Sequence, residues 1–98
     1  MPQLKDILYK VALQTVSGDM ETEVTTLAFD SRKADVGSVF VAVSGTQVDG
    51  HDYIETAIQQ GAVAIVCERL PETTVDDIAI VQVADSAEAL GVMASNLY

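Results

Sequence analysis

Asp30, Ser31 and Arg32 stand in a row and offer an acceptor, a hydroxyl and a fixed cation within three residues. A hydroxyl can donate to or accept from a base or a phosphate oxygen. A guanidinium can fork onto phosphate oxygens. The competing reading of the same three residues is an Asx-type turn with Arg32 solvated. A second stretch, Ser44–Gly50, carries Gly45 and Gly50 near its two ends. Gly45 lets the backbone come close to a ligand and present N–H and C=O groups to a base edge. The plainer alternative is an ordinary strand-to-helix connection. His51 follows directly, just before an expected helix start. It is either an anion contact or, more ordinarily, a surface turn residue. Asp49 and Asp52 read as turn and cap residues, since no second carboxylate cluster accompanies them.

Charge sharpens where a ligand could sit. Five basic residues against fifteen acidic ones give a net charge of −10. Nucleic acid and anionic membranes both need a basic footprint, so neither is an expected partner. An anionic ligand would have to overcome the general field with local cations, and Arg32 and Lys33 are adjacent. One histidine and one cysteine exclude an internal disulfide and make a zinc site a poor reading. Cys67 ends the apolar run Ala64-Ile65-Val66 and is expected to be a small buried side chain. Catalytic signatures are missing: there is no G-x-x-x-x-G-K-[ST] loop, no G-x-S-x-G elbow and no Cys/His pairing. No run of eighteen apolar residues and no signal-peptide layout occurs, so a cytoplasmic protein is expected; a monomer is the expected state.

The elements that must position these residues follow from pattern. At 98 residues, 49% of them hydrophobic, the chain is the size of one domain with a real core. Leu4, Ile7, Leu8 and Val11 fall at helical spacing. Val16–Glu23 reads as a connection and Val24–Phe29 as a strand. Val39–Val43 is short and continuously apolar, which suits a strand buried on both faces. Asp52 with Glu55 predicts a capped helix carrying Ile54, Ala57 and Ile58, stopped by Gly61. Ala62–Cys67 and Ile78–Val83 read as further buried strands, separated by the polar connection Glu68–Asp77. Asp85 with Glu88 opens a last helix with the stripe Leu90, Met93, Ala94 and Leu97. The pattern predicts an α/β domain, a small three-layer arrangement with a mostly parallel or mixed sheet and flanking helices. Ligands gather at the carboxyl ends of strands in such sheets. The loops after Val24–Phe29 and after Val39–Val43 are therefore the two candidates, and they can share a ligand only if those strands lie close together.

The run from Phe29 to Ile54 has the form D-S-R-x-x-x-x-G-x-x-F-V-A-x-x-G-x-x-x-D-G-H-x-[FY]-I, from Asp30-Ser31-Arg32 through Gly37, Phe40-Val41-Ala42, Gly45 and Asp49-Gly50-His51 to Tyr53-Ile54. It resembles the amino-terminal domain shared by the MurE and MurF ligases. The likeness runs from Leu4 to Tyr98. The opening Leu4-Lys5-Asp6-Ile7-Leu8, the strand end Ala64–Glu68 and the Leu90–Tyr98 segment are more similar to MurE; MurF is the nearer alternative. The resemblance implies a longer ligase that adds a diamino acid, meso-diaminopimelate or lysine, to UDP-N-acetylmuramoyl-L-alanyl-D-glutamate. It implies use of ATP and magnesium by way of an acyl phosphate. It also implies that this first domain holds the UDP end of the UDP-linked muramoyl peptide. By position the contacts would be Phe29 and Ser31, with Arg32 in support, and Thr46, Gln47 and Val48. The phosphate loop, carbamylated lysine and amino-acid pocket of the family would lie beyond residue 98. The 98-residue chain is then expected to bind no cofactor and to be inactive in ligation. A stand-alone domain using the same edge for another nucleotide or a protein is the other reading. A G-T-N-G-K-[ST]-like stretch soon after Tyr98 would decide between them.

Overall fold

The computed structural model describes residues 2–43, 49–70 and 78–97. Among these, five strands form one sheet: β1 (Leu13–Ser17), β2 (Thr26–Ala28), β3 (Ser38–Val41), β4 (Ala64–Cys67) and β5 (Ala79–Val83), in the order β1-β5-β4-β3-β2. Strands β2 to β5 run parallel and β1 pairs antiparallel with β5. The expected α/β class and mixed sheet are therefore observed.

Strand alternation sorts the core into two layers. Val39, Val41, Ala64, Val66, Val81 and Val83 face one side, where they meet Leu4 and Ile7 of α1 (Leu4–Ile7) and Ala89 and Met93 of α3 (Ser86–Leu97). Phe40, Ala42, Ile65, Cys67 and Ile80 face the other, against Ile54 and Ala57 of α2 (Ile54–Gln59). Both sides of the central strands are covered, which is why β3 and β4 are continuously apolar and wholly buried. Leu90 and Leu97 pack at the margin of the first layer, as the stripe predicts.

Three readings need correction. The sequence from Val16 onward looks like a connection, but Val16 and Ser17 belong to β1. All five residues of β1 are exposed, so no alternation of burial marks it. Pairing with β5 and a Thr15 hydroxyl bond to Gln82 Oε1 at 3.0 Å define it instead. The first helix does not reach Val11, because Lys10 adopts a left-handed conformation with φ of 68° and turns the chain. Finally, Asp52 does not cap α2. A 3-10 turn, Gly50–Tyr53, stands before the helix, and Asp49 caps that turn by accepting from the His51 N–H. At the far end of α2, Gly61 takes φ of +111°, and an added Cβ would come within 2.7 Å of Val36 Cα. The expected stop is thus enforced by conformation and by space.

Candidate functional site

Because β2 and β3 are parallel neighbours, with Ala28 paired to Phe40, the chain leaves both strands at the same edge. This satisfies the condition on which a shared ligand depends. At the first corner, Phe29 is 62% exposed and Ser31–Lys33 forms a 3-10 turn. The Arg32 N–H donates to Asp30 Oδ1 at 2.9 Å, which is the Asx turn expected as the alternative reading. Arg32 is not simply solvated, however. Its guanidinium folds back on the same carboxylate, Nε to Oδ1 at 3.1 Å and Nη2 to Oδ2 at 2.8 Å. The Arg32 side-chain bond, reinforced by the Arg32 amide, holds the Asp30 carboxyl down at about 2.

The second corner is built over longer distances in sequence. The Gly50 N–H donates to Val43 O at 2.9 Å and draws those residues together. A Cβ at Gly50 would meet Val43 N at 2.7 Å, so this close approach requires glycine. Asp49 Oδ1 accepts from the His51 N–H at 2.9 Å and from His51 Nδ1 at 2.7 Å, while Oδ2 pairs with Arg69 Nη2. Arg69 first, and His51 second, hold the Asp49 carboxyl well below the usual carboxylate range. His51 Nε2 accepts from the Glu68 N–H at 2.9 Å and the Arg69 N–H at 3.2 Å. A ring nitrogen that accepts two amide protons carries none itself, so the ring is neutral with its proton on Nδ1. The His51 side chain is only 5% exposed. It is therefore neither a surface turn residue nor an anion contact, because its two nitrogens are engaged by the protein.

Between the corners lies a cleft of ≈ 600 Å³ whose described lining is Phe29, Asp30, Arg32, Phe40, Val43, Gly50 and Tyr53. The structure brings Phe29 and Arg32 together there. The Ser31 side chain and all of Thr46, Gln47 and Val48 lie outside the described residues. Tyr53 lines the same cleft as Arg32, although the sequence pattern does not mark it as a site residue. It is 41% exposed. The signal that could have found it is an aromatic residue off the apolar stripe of α2, next to the Asp49-Gly50-His51 run. Exposed aromatic rings beside a carboxylate–guanidinium pair suit a flat ligand that also bears polar or anionic groups.

The described residues of the cleft do not assemble a nucleophile with a base. Cys67 is fully buried, donates to Val81 O at 3.6 Å, and has its thiol pushed up to about 11 by burial. No group of three or more His, Cys, Asp or Glu among the described residues could hold a metal ion. No described helix is long and apolar enough to cross a membrane.

The family described as "Mur ligase family, catalytic domain" matches residues 23–98. The chain belongs to the Mur ligase family. It is 55% identical over 97 residues to a UDP-N-acetylmuramoyl-L-alanyl-D-glutamate–2,6-diaminopimelate ligase of Cytophaga hutchinsonii, covering 98% of this chain and 20% of that protein. It is 41% identical over 96 residues to the like-named ligase of Bacteroides fragilis, with the same coverage. The chain thus spans about a fifth of the length of the curated relatives it matches. Among solved structures, MurF of Acinetobacter baumannii superposes with a TM-score of 0.65 at 29% identity, over 74% of this chain and 16% of that one. MurF ligase of Thermotoga maritima in complex with ADP gives 0.61 at 37% identity, again over 74% and 16%. The sequence relatives thus carry the name of diaminopimelate-adding ligases, and the fold is shared with a part of MurF.

Proposed function

We propose that this chain is the amino-terminal substrate domain of a ligase that adds 2,6-diaminopimelate to UDP-N-acetylmuramoyl-L-alanyl-D-glutamate, and that its cleft takes the UDP end. The observation that carries the reading is the cleft between the β2 and β3 corners, open to solvent and lined by Phe29, Arg32 and Tyr53. Phe29 offers the uracil an apolar face, and base stacking of this kind contributes about 1–3 kcal/mol in nucleic-acid complexes. Ser31 adds a hydrogen bond of roughly 0.5–1.5 kcal/mol net. Thr46, Gln47 and Val48 complete the set from the second loop, where Gln47 can pair with the uracil edge or a ribose hydroxyl. Arg32 faces the diphosphate, although it must be shared with Asp30 and works against a net charge of −10. Isolated UDP should therefore bind weakly, near the millimolar range that corresponds to about −4 kcal/mol.

The sequence carries no phosphate loop of the kind that holds ATP, and among the described residues no group of three or more metal-ligating side chains would hold magnesium. Phosphoryl activation of the substrate carboxyl is assigned to the remainder of the ligase, which works as a cytoplasmic monomer and grips the peptide end.

Ser31→Ala and Arg32→Ala, made separately in the full-length ligase, should each raise KM for the nucleotide substrate several-fold and leave KM for ATP nearly unchanged. If neither moves the nucleotide constant, or if UDP perturbs NMR signals far from residues 29–33 and 46–48, the site is elsewhere. The ligase should accept the dipeptide-bearing nucleotide; preference for the tripeptide-bearing one would assign it to MurF instead.

A further inference from the structure

His51 was expected to be a surface residue, and it is instead a buried cross-link. Its ring joins the turn Gly50–Tyr53 to the two residues that follow β4, positions 17 and 18 further along the chain. The chain of contacts continues on both sides. Outward, Asp49 holds Nδ1 and pairs with Arg69. Inward, the Glu68 carboxylate accepts from Ser86 N–H and from Ser86 Oγ, each at 2.8 Å, at the start of α3. Ser86 is wholly buried, so this end of the chain of contacts is anchored in the core. Two of the residues that line the cleft, Gly50 and Tyr53, flank His51 at one and two positions. A third, Val43, is bonded to Gly50.

We propose that His51 is a positioning residue for the nucleotide cleft: as a neutral ring with its proton on Nδ1, it locks the Asp49–Tyr53 turn onto the Glu68 and Arg69 amides and so fixes Gly50 and Tyr53 for the ligand. The inference rests on the nucleotide reading of that cleft. The physical reason is preorganisation. A turn already held in its bound shape loses less freedom when the ligand arrives. The acceptor at Nε2 is the essential group, because it is the atom through which the ring reaches both the Glu68 and the Arg69 amide. A side chain of similar reach that ends in a carbonyl oxygen can take its place, and one that ends short cannot.

The test measures UDP binding to this 98-residue chain by NMR titration, with melting curves as a check on folding. H51A should raise the UDP dissociation constant about fivefold or more, whereas H51Q, whose Oε1 can accept from the amides, should stay within about twofold of the native chain. Ring 15N signals of the native protein should show a protonated Nδ1 and a bare Nε2. The opposite tautomer overturns the proposal, as does unchanged UDP affinity in H51A. Should H51A fail to fold, H51Q and H51N carry the test. The shorter Asn reaches Asp49 but not the Glu68 and Arg69 amides, so equal affinity of these two variants also overturns the role of His51. Native chain that does not bind UDP at the cleft overturns the nucleotide reading itself and the inference with it. Binding at the cleft without dependence on residue 51 overturns only the inference.

Discussion

The two corners of the cleft use the same ingredients and build different things. Each has an aspartate that accepts from the backbone N–H two positions on and also pairs with an arginine: Asp30 with Arg32, and Asp49 with His51 and Arg69. At the first corner every one of these bonds spans two residues, and the Arg32 side chain is 87% exposed. At the second, only the Asp49–His51 bonds are that local; the bonds to Glu68 and Arg69 span 17 to 20 residues, and a nearly buried imidazole sits in the middle. An exposed local pair contributes little to stability, since solvent screens it and the unfolded chain can form much of it. A nearly buried ring that bonds two amides at another strand end is structural, because removing it breaks the link between the two segments and leaves a gap where the ring packs. In the proposed site the first corner is thus the one that can exchange partners with a ligand, and the second holds the frame.

The largest effect should come from the floor that both corners share. Phe40 is fully buried and lies under the cleft. Phe40→Ala should cost about 3–5 kcal/mol in urea unfolding, a large part of the roughly 5–15 kcal/mol expected of a domain this size. A loss below about 1 kcal/mol would mean that the cleft floor is not packed as described.

The contrast itself is tested next. His51→Ala should cost about 1–3 kcal/mol by removing a nearly buried side chain and the bonds that tie the turn to Glu68 and Arg69. Arg32→Ala should lower the melting midpoint much less, because the Asp30–Arg32 pair is local and exposed. Equal losses in the two variants would erase the distinction between a framing corner and an adaptable one.

Acid should act more strongly on the second corner. The carboxyls of Asp30, Asp49 and Glu68 are all held below their ordinary values in the fold, by Arg32, by Arg69 with His51, and by Ser86 respectively. A depressed carboxyl contributes stability that is present above its unfolded value, about 4. That contribution is lost as pH falls through the folded value. For Asp30 the loss should run from about 4 down to about 2; for Asp49 it should extend lower. Asp49→Asn should flatten the acid limb of a stability–pH curve more than Asp30→Asn does. The reverse order would contradict the assignment of roles.

The smallest effect is a change in reactivity. Cys67 directly precedes Glu68, and burial keeps its thiol protonated near neutral pH, with a value of about 11. Alkylation of the folded chain at pH 8 should be slow. His51→Ala should speed it by loosening the end of β4, and Arg32→Ala should not. Equal rates in all three proteins would mean that the His51 bonds do not control opening at that strand end.

Sequence alone carried the buried strands and the local chemistry. Val39–Val41 and Ala64–Cys67 are legible because a strand covered on both faces must be continuously apolar, and both are wholly buried. The Asp30–Arg32 turn is legible because its partners are two residues apart and need no other part of the chain. The run from Asp30 to Ile54 also carried the family, which the match over residues 23–98 bears out. Tertiary structure decided the rest. Strand β1 exists only through its pairing with β5, and its exposed residues leave no burial pattern to read. The placement of His51 depends on β3 and β4 lying side by side, which sets the Glu68 and Arg69 amides against the turn. The cleft likewise requires β2 beside β3. Such features arise from pairings between segments distant in sequence, where the identity of a residue says which bonds it can make but not which groups the fold will bring to it.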